Sequence, residues 1–160
     1  MPDKNQYSLE MLQSRLDESV SLVEKVLIVC DFYENHVNLI LIGENGDPAI
    51  LSDYNVTPEQ KLMYAMGITR VFDQEDENGA CAIWGFIKNV YDLRSQLIRL
   101  NTNDLDNKIR KLIAEQAQGH PGWDEIESSN NTMRLWDRFN LGIASYVTGF
   151  TECYLKNSKE

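Results

Sequence analysis

Leu62-Met63-Tyr64-Ala65-Met66-Gly67-Ile68-Thr69-Arg70-Val71-Phe72-Asp73 is the stretch on which the reading of the fold turns. Leu62, Met66, Thr69 and then Val71 or Phe72 recur at three- and four-residue steps, the spacing of one apolar helix face. The start of this helix is written just upstream. Thr57 caps it, Pro58 takes the first helical position, and Gln60 reaches back to complete a capping box. Its end is an Arg-x-Phe-Asp corner. Arg70 and Asp73 stand three apart, so guanidinium and carboxylate can meet there. That ion pair reads as structural, orienting the turn after Phe72. An acidic turn, Gln74–Glu77, follows, and a further amphipathic helix starts near Gly79.

The same periodicity extends in both directions. Ser8 can cap a first helix in which Leu9, Leu12, Leu16, Val20, Val23, Val26 (or Leu27) and Cys30 form one apolar face. Continuation through Phe32 and Tyr33 towards Leu41 makes it a long helix. Val37–Ile42 also fits a short strand, because Asn45-Gly46 could turn a hairpin pairing Asn38–Ile42 with Ala49–Ser52. The favoured reading is a long helix, then a loop. The helix from about Gly79 to Leu100 places Ile83, Ile87, Val90 or Tyr91, and Leu97 on one face. The next spans about Leu105 to Gln118, with Leu105, Ile109, Leu112 and Ile113 inward, and Gly119-His120-Pro121-Gly122 ends it. A final helix carries Leu135, Trp136, Phe139, Ile143, Tyr146, Val147, Phe150 and Tyr154. The expected architecture is one all-α domain over residues 1–160, an up-and-down bundle of about five helices.

Composition narrows the partners. With 15 Lys+Arg against 25 Asp+Glu, the formal net charge is -10. A chain this acidic is not steered to nucleic acid or anionic membrane by its global field. A local basic groove around Arg94, Arg99, Lys108, Arg110 and Lys111 remains compatible with it. The acidic side chains are spread along the chain, which reads as solubility rather than phosphate mimicry. Cys30, Cys81 and Cys153 are odd in number and far apart, with no Cys/His cluster, so neither a zinc site nor any other cofactor is expected. Cys30 and Cys153 sit among apolar neighbours and read as reduced core positions. No segment reads as a membrane span or an apolar leader, and a cytoplasmic location is the expectation.

The chemistry-bearing candidates are few. His120 stands between Gly119 and Pro121-Gly122, a rigid corner, and an imidazole titrates near neutrality, as general acid–base work requires. Arg110, ten residues earlier on the helix leading to it, is the nearest cation. Trp123 could stack a nucleobase. The bland alternative is a loop histidine that helps to end the helix. Asp73, Glu75, Asp76 and Glu77 lack the spacing of a calcium loop. Phosphate-loop, nucleophile-elbow, zinc-helix and di-iron motifs are all absent from the sequence. His36 has no partner set nearby in sequence.

Over about residues 9–155 the chain resembles the abortive-infection (AbiU-like) branch of the HEPN superfamily. The resemblance rests on the long first helix, the Gly67-Ile68-Thr69-Arg70-Val71-Phe72-Asp73 helix end, a helix pair, and a long final amphipathic helix. It implies a helical protein of a toxin or phage-defence system, a homodimer, and metal-independent ribonuclease chemistry in which an Arg/His pair assists attack of a ribose 2′-hydroxyl on the adjacent phosphate. Carried onto this chain, the pair would be Arg110 and His120. The chain departs from the family pattern there, because Glu115, not an arginine, stands five residues before His120. A second class is therefore carried alongside: a non-catalytic helical binding protein that docks a protein partner through an acidic or aromatic face.

Overall fold

A computed structural model describes residues 8–45, 56–69, 80–118 and 130–157. Among these residues all regular structure is α-helical. It forms six helices: α1 Leu9–Glu18, α2 Leu22–Asn45, α3 Pro58–Ile68, α4 Ala80–Gln96, α5 Thr102–Ala117 and α6 Thr132–Asn157.

The sixth helix arises because the expected long first helix is broken. Ser19 Oγ donates to the Leu16 carbonyl at 2.6 Å, and its N–H turns back on Arg15 and Leu16, closing α1. Ser21 Oγ then accepts the Glu24 N–H at 3.2 Å, while the Glu24 carboxylate accepts the N–H of Val20 at 2.9 Å. Serine side chains here give the main chain partners outside a helix, and Ser21-x-x-Glu24 is a capping signal lying within an apolar repeat. Val20, expected inward, is 83% exposed, and Val23 is also exposed. Restarting the helix shifts the phase of its apolar face.

Once restarted, α2 runs through Val37–Ile42 without interruption, so the strand alternative fails at its first half; Ala49–Ser52 lies outside the described residues. The segment Leu22–Gly43 is long and apolar enough to cross a membrane by length and composition, with mean hydropathy 1.3. That corrects the expectation that no segment approaches a span. The packing supplies a local reason. Each of the other five helices touches α2, and α6 makes the most extensive contact with it. A helix walled on several sides must be apolar on several faces. Val26, Val29, Phe32, Tyr33, Ile40 and Leu41 are fully buried there.

The remaining helices follow their sequence signals closely. Thr57 caps α3 with the full capping box to Gln60, and Leu62, Ala65 and Met66 are buried. Asn101 caps α5, whose inward row is Leu105, Ile109, Ile113 and Ala117. Aromatic rings join α4 to α6: Trp84 meets Phe150 edge-on at 5.4 Å between centroids, and Phe86 meets Phe139 at 5.2 Å. Cys153, expected in the core, is exposed. Its apolar sequence neighbours lie on other faces of α6.

Polar ties are buried between the helices. Lys25 is 4% exposed; its ammonium donates to the Leu16 carbonyl at 2.8 Å and to Asp137 Oδ2 at 2.7 Å. The Trp136 indole N–H donates to the Lys25 carbonyl at 3.3 Å. Tyr33 donates its hydroxyl to Asn140 Oδ1 at 2.8 Å, and Asn140 Nδ2 donates to the Trp136 carbonyl. Removing one member of a buried ion pair strands the other charge. Lys25→Met should therefore lower unfolding stability by about 3–5 kcal/mol. The double variant Lys25→Met/Asp137→Leu should regain most of it. Urea denaturation measures both, and a single variant within about 1 kcal/mol of the parent would refute this assignment of the pair.

Candidate functional site

Arg110 lies on α5 two turns before Ala117, with its side chain about one-third exposed. Its Nε donates to Asp106 Oδ2 at 3.2 Å, an i,i+4 pair along the helix. Glu115 is exposed one turn further on. His120 and Trp123, and the corner residues Arg70, Phe72 and Asp73, lie outside the described residues. The described helices stop just short of both: α3 ends at Ile68, with Thr69 closing it, and α5 ends at Ala117.

The proposed basic groove is partly consumed by the fold. Arg94 Nη2 donates to Glu34 at 2.9 Å, and its guanidinium lies over the Tyr91 ring at 5.1 Å. Lys108 donates to Gln96, and Arg110 is held by Asp106. Arg99 and Lys111 are exposed, as are Arg134 and Arg138 on α6.

The Arg94–Glu34 pair borders a second polar cluster. Cys30 Sγ donates weakly to the Val90 carbonyl at 3.7 Å. Burial pushes its thiol up to about 12, with Arg94 pulling it back and Glu34 adding to the rise. Burial also holds the Tyr91 phenol well above its ordinary range, with Glu34 adding to the effect. The Tyr91 hydroxyl and the Trp84 indole N–H are buried without a hydrogen-bond partner among the described residues. Neither thiol nor phenol can ionise here near neutral pH, so this cluster offers neither nucleophile nor base.

His36 is not the isolated residue that its sequence neighbours suggest. It is buried mid-way along α2, stacked on Phe32 at 4.5 Å between centroids, with Nδ1 3.2 Å from Thr151 Oγ1. Thr151 donates its single hydroxyl proton to the Val147 carbonyl at 2.8 Å. The partner comes from α6, 115 residues along the chain, which no local pattern could have revealed.

A cavity of about 610 Å³ opens where α2, α5 and α6 begin, lined among others by Leu22, Thr102, Asp106, Thr132 and Met133. Sequence reading singled out none of these. The available signal was the three cap residues Ser21, Asn101 and Asn131. Among the described residues, no group of three or more His, Cys, Asp or Glu side chains is gathered as metal ligands.

The described residues thus define an all-helical protein with an open, largely apolar depression at three helix starts and an arginine, about one-third exposed, one turn along α5 from its wall. No family model, curated protein or solved structure matches this chain.

The two thiols described above should separate cleanly. Iodoacetamide at pH 8 should alkylate exposed Cys153 within minutes and leave Cys30 unmodified until the protein is denatured. Peptide mass mapping reads the outcome, and rapid native labelling of Cys30 would contradict its burial.

Proposed function

We propose that this chain is a HEPN-like helical protein of a toxin or phage-defence system that acts on RNA without a metal. His120 is the proton-transfer residue in this reading and Arg110 its cation. The observation that carries the reading is the placing of two helices on either side of the diagnostic stretch. A short capped helix closes at Thr69, directly before Arg70-Val71-Phe72-Asp73, and the next helix starts at Ala80. The all-helical class and the partly exposed Arg110, on the helix leading to His120, support it further. Phosphodiester cleavage through a 2′-hydroxyl needs a base for the hydroxyl proton and a cation for the developing charge. In this reading the Arg110 guanidinium leaves Asp106 for the scissile phosphate, a modest cost for an i,i+4 pair about one-third exposed.

A second reading has its own observations. Arg94, Lys108 and Arg110 all have partners inside the fold, and Glu115 adds a negative charge on the exposed side of α5. Several large apolar side chains remain outside: Met11, Val20, Val23 and Leu27, and Met63 and Tyr64 on α3. These favour a non-catalytic protein that docks a protein partner. Both readings include a homodimer. Phe139 and Phe150 of α6 pack on Phe86 and Trp84 of α4, so the seam is assigned to the exposed apolar residues Met11 of α1 and Val23 and Leu27 of α2.

Purified protein should cleave single-stranded RNA in the presence of a chelator. His120→Ala should slow cleavage by about 100-fold or more while leaving the melting temperature in place. Arg110→Ala should weaken cleavage as well. Absence of turnover, with stable capture of a protein partner, would transfer the chain to the second reading. For the seam, Leu27→Glu should convert a dimer to a monomer by light scattering at tens of micromolar. A parent protein that is monomeric under those conditions removes the dimer from both readings.

A further inference from the structure

The first two helices leave one side of their hairpin open. Both pack on α6, which covers them from within. On the outward side the Arg15 guanidinium meets Asp31 Oδ2 at 2.9 Å, tying α1 to α2 where both side chains remain partly in solvent. Residues three and four apart share a helix face. Met11 lies four before Arg15 and Glu18 three after it, so both belong to the bridged side of α1. Leu27 lies four before Asp31, with Val23 and Glu24 a further turn back, so these belong to the bridged side of α2. All five are exposed, and three of them are large apolar side chains.

The charge on this side is one-signed. Arg15 is the cation that α1 brings to it, and Asp31 already answers that charge. Lys25, next to Glu24 in sequence, is buried and held by the Leu16 carbonyl and Asp137. Among the described residues neither Glu18 nor Glu24 is in an ion pair. The Glu24 carboxylate accepts the Val20 N–H, which leaves its charge in place. Apolar side chains on two packed helices form the walls of a groove that receives the ridge of a third helix. The ten residues of α1 set its length at about 15 Å, or about three turns of a partner. An uncharged apolar partner would bury Glu18 and Glu24 unpaired, which is costly. An acidic partner, or a second copy of this face, sets like charges against them. Lysine or arginine flanking an apolar stripe answers both features at once.

We infer that the outward side of the α1–α2 hairpin docks a basic amphipathic helix of another protein. Its apolar stripe lies on Met11, Val23 and Leu27, and its cations face Glu18 and Glu24. The inference rests on the second reading above and names the chemistry of the partner in it. Partner and second copy use the same side chains and therefore exclude one another, and the two carboxylates favour the partner.

Three synthetic peptides of about fourteen residues, or two heptads, serve as probes. One carries leucine and lysine in an amphipathic helical pattern. The second has the same composition, scrambled so that no apolar stripe forms, and the third replaces lysine by glutamate in the first pattern. Fluorescence anisotropy at low salt should give saturable one-to-one binding of the first peptide in the micromolar range. The scrambled peptide should bind at least about tenfold more weakly, and the glutamate peptide not at all. Leu27→Ser should weaken binding of the first peptide by about tenfold, the effect of one interface anchor. Glu18→Gln/Glu24→Gln should weaken it by a similar factor that shrinks at high salt. Glutamine at position 24 can still accept the Val20 N–H, and both variants should keep the parent melting temperature. Asp92→Asn/Glu115→Gln removes the same charge from exposed positions of α4 and α5, and should change affinity by less than about twofold. In light scattering the first peptide should convert the dimer to a one-to-one complex. Equal loss from the α4–α5 pair, or equal binding of the scrambled peptide, means attraction by net charge alone and overturns the inference. Failure of the first peptide to bind, or a dimer that persists with peptide bound, also overturns it. If the glutamate peptide binds instead and Leu27→Ser releases it, the second reading stands and the basic partner falls. If no peptide binds and RNA is cleaved, the second reading falls as well.

Discussion

The buried ammonium of Lys25 is the constraint around which the other parts are arranged. A charge with 4% exposure has to be answered inside the protein, and the answers come from two directions. The Leu16 carbonyl lies at the end of α1, and Asp137 lies in the second turn of α6. Satisfying Lys25 therefore fixes the hairpin of α1 on α2 and the placement of α6 across both. The Trp136 indole adds a bond to the Lys25 carbonyl and fills the space beside it. Apolar burial supplies most of the driving force in such a core, but it is non-directional. The ionic and hydrogen-bonded ties give the helices a register. Asp137 shows the tension in this arrangement: burial raises its carboxyl above the ordinary range, while the Lys25 hydrogen bond and charge pull it back.

How much of this was legible varies with the range of the interactions. The capping box at Thr57–Gln60, the stop before Asn101 and the inward row Leu105, Ile109 and Ile113 are local features, and the structure places them as the sequence implies. The break at Ser19–Ser21 was equally local, since Ser21 and Glu24 spell a capping signal. It was hidden because Leu16, Val20 and Val23 keep apolar spacing across it. Periodicity reports spacing and cannot report a change of phase. Cys153 and His36 failed for the opposite reason. Whether a residue faces a neighbour depends on elements more than a hundred positions away, and single-sequence patterns carry no such information.

The candidate site divides along the same line. Arg110 was legible as a cation on the helix approaching His120, and its pairing with Asp106 four residues back is a local spacing that the sequence also carries. The cavity was illegible altogether, because it is formed by three helix starts that are unremarkable one by one. Ser21, Asn101 and Asn131 each announce an N-terminus. Only tertiary packing turns three separate announcements into a single concave surface with Thr132 in its wall.

The central position of α2 also bears on how the chain is made. Its most extensive cover, α6, is translated about a hundred residues later. At roughly 5–20 residues per second, a ribosome takes several seconds to bridge that interval. Throughout it, a 22-residue segment of α2 with mean hydropathy 1.3 lacks its main shield. Contacts of such long sequence separation form slowly even in the finished chain. The same apolarity that lets α2 receive five neighbours makes the nascent protein a client for factors that recognise exposed greasy helices. The interval between α2 and α6 is then the period when this molecule is most open to being mis-sorted or aggregated.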